Sequence, residues 1–299
     1  MAWPGCAPIQ PMKQLPLTLP TTAKNGVVLD VLFVRFPADD PQLNKIVWEE
    51  IDELHFPAEV RRRLERNGLR AGVIAGPLPL SLENLIQLQD KPQEHADEEP
   101  KEIDVEKQPA VKQRQLRLTA GRRSNILTLG ETERVPEMSL LMLDDEGQVK
   151  GRTYRQVLGM FAARAFPGGD GGARLELIPE LEHGTPQKRF VPGDGMFHVE
   201  FGPPHEVLNE LKLSANLAPG QFVVVGADAN RSGSLGYRFF TEERGAAPLR
   251  KMLLIRLAQA DFDDRFSNQP SDEVAAELKP IDLKVTTHEN APDRDRVKK

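Results

Sequence analysis

From residue 113 to residue 261 the chain is a succession of short apolar runs separated by turn residues. That pattern restricts this stretch to a fold whose core is made by strands. QLRLT, SLLMLDDEGQVKGRTYR, ARLELIPEL, FHVEF, ELKLSANLA, FVVVGA, YRFF and KMLLIRLAQ follow one another, and Asp145-Glu146-Gly147-Gln148 reads as a hairpin turn. The clearest alternation sets Leu211, Leu213, Ala215 and Leu217 against Glu210, Lys212, Ser214 and Asn216, which predicts one dry face and one wet face. The expectation is a mainly antiparallel all-β domain over 113–261, a sandwich or a partly open barrel.

Residues 26–88 read differently. VVLDVLFVRF (27–36) suits a central strand buried on both faces. Asp39, Asp40 and Pro41 open a helix, along which Leu43, Ile46, Val47, Ile51 and Leu54 follow helical spacing. A second helix runs from Pro57 through Val60 and Leu64 to a stop at Asn67-Gly68, and LRAGVIAG (69–76) is a second strand. Two strands joined by a helical crossover are expected to lie parallel in one sheet. Ser81 is placed as the cap of a last short helix through Leu85 and Ile86. The predicted fold class is α+β: a small N-terminal α/β domain plus the β-domain.

The segments between and around these units are polar. Residues 1–25 carry a proline-rich run and read as a disordered tether. Residues 89–112 are acidic, with prolines at 92, 100 and 109, and read as a disordered linker. Residues 262–299 read as a disordered tail. The net charge of −6 argues against nucleic acid as a partner, since phosphate binding needs a cationic surface. No apolar run approaches the roughly 20 residues of a membrane-spanning helix.

The chain has one cysteine, Cys6, which excludes an internal disulfide and a cysteine zinc cluster. Cys6 stands just ahead of the proline-rich tether, and Gly5 before it suits a lipid-attachment signal, but MAWPG offers no apolar leader. The expectation is that translation starts upstream and that Cys6 is the lipidated first residue of a protein held on the periplasmic side of the cell envelope. A start at Met1 would leave the protein cytoplasmic.

Catalytic signatures are few. His198, Glu200 and His205 form the densest metal-like group, with His198 and Glu200 on one face of a strand and Glu206 beside His205. They are the candidate ligands of a metal-dependent hydrolase. Asp144, Asp145 and Glu146 read as a turn. GSLG (233–236) departs from the nucleophile-elbow pattern, and no strand-to-helix turn is expected there. PGGDGG (167–172) lacks the Lys and Ser/Thr of a phosphate loop and leads into a strand. No catalytic residue and no cofactor are predicted.

ARLELIPELEHG (173–184), LKLSANLAPGQFVVVGADA (211–229) and RKMLLIRLAQ (250–259) resemble, in this order, the β-domain of secretins, the ring-forming outer-membrane channels of bacterial secretion systems. Pro219-Gly220-Gln221 and Phe222–Ala227 match the middle of that pattern, and Leu253–Leu257 match its last strand. Phe222 stands where a Thr is usual, Ala227 replaces a Gly, and residues 228–249 do not show the membrane-lip segment. The resemblance implies a soluble relative or accessory of a secretion apparatus. The leading expectation is therefore a non-enzymatic, envelope-associated structural or assembly protein that binds a protein partner or itself. The rival is a soluble β-sandwich module for a carbohydrate or peptide, although aromatic residues are only 6% of the chain.

Overall fold

The computed structural model describes residues 25–38, 41–90, 111–130, 133–143, 147–193, 196–228, 231–243 and 248–263. Cys6, most of the acidic segment and the tail beyond Asp263 lie outside the described residues. The fold is α+β with a mainly antiparallel β architecture.

Apolar runs long enough to span a layer build the first sheet. Strands β1 (Gly26–Pro37), β2 (Leu69–Ile74), β3 (Val111–Thr119), β12 (Phe222–Ala227) and β14 (Leu249–Asp261) line up in the order β2-β12-β14-β1-β3. The short β13 (Thr241–Glu242) also pairs with β14. Every described pairing is antiparallel. β1 and β14 match in length and pair along their whole extent, from Gly26↔Asp261 to Pro37↔Leu249.

This sheet corrects two expectations. β1 and β2 do not form a parallel pair, because β12 and β14 lie between them and leave them running in opposite senses. Nor does a boundary between 26–88 and 113–261 divide the sheet: β1 pairs with β14 and with β3, and β2 pairs with β12. The physical reason is burial. A strand that is apolar on both faces needs neighbours on both edges, and β14 and β3 supply them for β1.

The second sheet has the order β10-β7-β6-β4, built from β4 (Ser124–Leu129), β6 (Val149–Pro167), β7 (Ala173–Glu182) and β10 (His205–Val207). β5 (Val135–Leu143) also pairs with β6, and β11 (Leu213–Leu217) with β7. The predicted alternation holds on β11: Leu213, Ala215 and Leu217 are buried while Ser214 and Asn216 are exposed. PGGDGG forms the tight turn from β6 into β7, with Gly168 N donating to Gly172 O. Strands β8 (Gln187–Gly193) and β9 (Met196–Gly202) pair only with each other.

Two cores flank the first sheet. Leu29, Val31 and Phe33 of β1 face the larger core, together with Leu175, Leu177 and Leu213 of the second sheet. Two helices join that core through Leu64 of α2 (Ala58–Arg66) and Phe239 and Phe240 of α4 (Leu235–Phe240). Val34 and Phe36 of β1 face the smaller core, covered by Val47 and Trp48 of α1 (Pro41–Glu49) and Leu82 of α3 (Leu80–Asp90). Each such apolar side chain contributes about 1.5–3 kcal/mol on burial. Ile46 and Leu54 stay exposed, because α1 ends at Glu49 before helical spacing can carry Leu54 inward. Ser81 donates its hydroxyl to Glu50 and does not cap α3.

α2 and α4, both packed on the larger core, meet at one tight junction. Gly68 follows α2 with φ +70°, and a methyl group on Gly236 of α4 would lie 1.8 Å from the Gly68 carbonyl oxygen. Glycine is required at both places, which lets Gly236 N donate to Asn67 O.

Candidate interaction surface

β6 is 19 residues long, more than its sheet can use. Its second half pairs with β7 from Leu158↔Glu182 onward, while its first half pairs with β5 from Val149↔Leu143 to Val157↔Val135. Gln156, at φ +53°, sits where the strand passes from one role to the other. A non-glycine residue in that region marks a bend in the strand. β5 and the first half of β6 thus form a two-stranded ribbon that continues the second sheet, with Met138, Leu140, Tyr154 and Val157 in the larger core, and β8 and β9 form another.

Both ribbons present apolar side chains to solvent. Leu141 and Val149 on the first are 47% and 60% exposed, and Val199 and Phe201 on the second are 58% and 72% exposed. Val199 and Phe201 are two residues apart on one strand and so share a face. Phe190 and Lys188 stand opposite them in register.

Polar clamps hold the first ribbon. Asn67, 2% exposed, donates from Nδ2 to Leu143 O at 3.3 Å and to Arg63 O at 3.0 Å, and it accepts from Leu143 N at 3.1 Å. The C-terminal stop of α2 is therefore also the anchor of β5. Across the ribbon, Tyr154 OH donates to Glu206 Oε2 at 2.9 Å, and Arg152 donates to Oε1 at 3.1 Å. Burial pushes the Tyr154 phenol above its ordinary pKa, and its hydrogen bond to the Glu206 carboxylate pushes it further. Between clamps and ribbon lies a cavity of about 300 Å³ lined by residues that include Asn67, Met142, Leu143, Arg152 and Leu208.

Of the candidate metal ligands, the side chain of His205 is described. His205 Nε2 lies 2.6 Å from Oε2 of Glu180, a carboxylate only 2% exposed, and Arg123 donates to the same oxygen. Glu206 is occupied by Tyr154 and Arg152. His198 and Glu200 stand on β9, opposite Val191 and Arg189, and their side chains lie outside the described residues, as do Asp144, Asp145 and Glu146. Among the described residues no three His, Cys, Asp or Glu side chains gather as metal ligands. The GSLG segment is followed by a helix, contrary to expectation. Ser234 is the N-cap of α4: its Oγ accepts from Tyr237 N at 3.2 Å and donates to Arg231 O at 2.6 Å. A buried hydroxyl committed to a helix start is a structural part.

Sequence reasoning missed the clamps. Asn67 was visible as a helix stop, but its side chain reaches a strand 76 residues away, and no local pattern encodes that. It also passed over Asp30, a buried carboxylate inside the apolar strand β1.

No family model and no curated protein matches the chain. Among solved structures it matches the secretin domain β-barrel of InvG from the Salmonella SPI-1 injectisome NC-base. The identity is 12%, the match covers 85% of this chain and 68% of that one, and the TM-score is 0.20. At this score it is a remote resemblance, and no residue role passes from it to this chain.

Proposed function

We infer that this protein is a non-enzymatic structural or assembly component of a bacterial cell envelope, which docks on a protein partner or on another copy of itself through its two ribbons. The observation that supports this reading is the placement of exposed apolar side chains. Of nine large apolar residues exposed among the described residues, Leu141, Val149, Val199 and Phe201 lie on the two ribbons, and Val207 stands on β10 beside them. Single exposed apolar residues are ordinary on a surface, but a group of them on two ribbons suits contact with another chain. Lipid on Cys6 would tether the assembly to a membrane, and a second acyl chain is needed for stable anchoring.

The test uses the native protein with its upstream region. Val199→Ser combined with Phe201→Ser should leave the melting temperature unchanged and abolish complexes that sediment above the monomer. Complexes of unchanged size and abundance would refute the ribbon reading. Cys6→Ser should move the protein from the membrane to the soluble fraction, and an unchanged distribution would refute the tether.

A further inference from the structure

One row of residues crosses the outer face of the first sheet from edge to edge: Gln115 of β3, Asp30 of β1, Arg256 of β14, Phe222 of β12 and Ile74 of β2. The row marks a border. On one side Val34, Leu254 and Val224 lie under α1 and α3; on the other, Arg117 and Gln259 flank Val28.

Asp30 sits on that border and is 5% exposed. Arg256 donates to its Oδ2 from Nε at 3.0 Å and from Nη2 at 2.6 Å, and Gln115 donates to Oδ1 at 3.3 Å. A carboxylate buried in the middle of an apolar strand costs stability unless it is paired and hydrogen-bonded, and Arg256 and Gln115 supply the partners. In front of the pair opens a cavity of about 380 Å³ whose walls include Leu32, Leu78, Ile86 and Phe222, with Gln113 at the β3 side. The pair is also lopsided. The Asp30 side chain is 7% exposed and the Arg256 side chain 45%, so the carboxylate is underneath and the guanidinium faces the opening. Arg117, exposed on the same face of β3, donates to Gln115 Oε1 at 3.4 Å.

We propose that this cavity binds an amphiphile: an apolar chain or ring lies against Leu32, Leu78, Ile86 and Phe222, and a carboxylate or other anionic head pairs with Arg256. Asp30 holds the guanidinium in place and keeps the site from being merely cationic. A mostly apolar pocket with one or two fixed polar groups is the usual form of a small-molecule site. The site is separate from the ribbons and needs neither of them.

Calorimetric titration of the full chain with dodecanoate, dodecanol and dodecyltrimethylammonium, each below its micelle concentration, tests this. Dodecanoate should saturate one site, with at least tenfold preference over the alcohol and no measurable binding of the cation. Ile86→Glu, which puts a charge in the apolar wall, should abolish binding of both the carboxylate and the alcohol. Arg256→Gln leaves Asp30 unpaired and risks the fold, so the paired variant Asp30→Asn with Arg256→Gln is the decisive one. It should melt near the wild type and bind dodecanoate no better than dodecanol. Absence of a saturable dodecanoate site, equal binding of the cationic chain, or full anion preference in the paired variant would each overturn the proposal.

Discussion

The two halves of β6 share one backbone and live in different environments. Six of the ten residues 158–167 are buried and only Arg164 is exposed, with Phe161 fully enclosed and its ring 5.8 Å from that of Phe239, edge to face. In residues 149–157 only Tyr154 and Val157 are buried. The inner half is held by side-chain packing. The outer half is packed on one face only, where Tyr154 and Val157 join Met138 and Leu140 of β5 in the larger core. It is held as well by polar contacts: Asn67 with the end of β5, Tyr154 and Arg152 donating to Glu206, and Arg134 donating to the Gln156 carbonyl at 2.9 Å. A long strand can therefore pass from a two-sided to a one-sided environment if polar clamps supplement packing on the side that meets solvent.

This contrast breaks first at Phe161. Phe161→Ala should destabilise the whole protein by about 3–5 kcal/mol, because it empties a site where a ring meets two others. Chemical denaturation measures this, and a loss below about 1 kcal/mol would mean the inner half is not the packed part. Asn67→Ala should cost less, about 1–3 kcal/mol, by removing the side-chain partner of the half-buried Leu143 backbone groups. Its signature should be local: hydrogen exchange should rise at Leu143 and along β5 while the amides of β7 stay protected. Equal loosening of both would show that the ribbon and the sheet open together.

A third test lies in the pH dependence of the inner region. Burial pushes the Glu242 carboxyl up, but the nearby Lys251 and Arg35 outweigh it and hold the pKa below its ordinary value. A carboxylate whose folded pKa is depressed contributes stability above its unfolded value, near pH 4.3, and that contribution disappears as pH falls through the lower folded value. Glu242→Gln should therefore lower stability at pH 7 and make it less sensitive to acid below about pH 4; an unchanged acid limb would remove Glu242 from the account. The smallest effect belongs to the bend. Gln156→Gly should change stability by no more than about 1 kcal/mol, since relief of the positive φ offsets the greater chain entropy of glycine. Loss of β5–β6 pairing in that variant, seen by exchange at Met138 and Leu140, would show that the bend itself carries the ribbon.

How far these features were legible depended on the range of the interaction. β1 was readable as doubly buried and β11 as half-exposed, because strand periodicity is local. The partner of β1 was not, because Val31 pairs with Ile255, and nothing near Val31 names a residue more than 200 positions away. That single pairing turned an expected separate α/β unit into part of one sheet. The ribbons failed to show for a related reason. FHVEF alternates as a core strand does, and alternation does not reveal whether the apolar face meets the inside of a sheet or solvent. Ser234 was missed because a six-residue helix is too short to show a period.

The position of β14 has a consequence for the order in which the molecule comes into being. It lies between β12 and β1, in the interior of the first sheet, yet it is synthesised after every other strand of that sheet. Until residues 249–261 leave the ribosome, β1 and β12 each offer a long apolar edge with no neighbour, which invites pairing with other chains. The nascent protein is therefore committed to a late, long-range closing step, of the kind that is slow and prone to aggregation. A chain interrupted anywhere before Leu249 would lack the strand that joins the two halves of its own sheet.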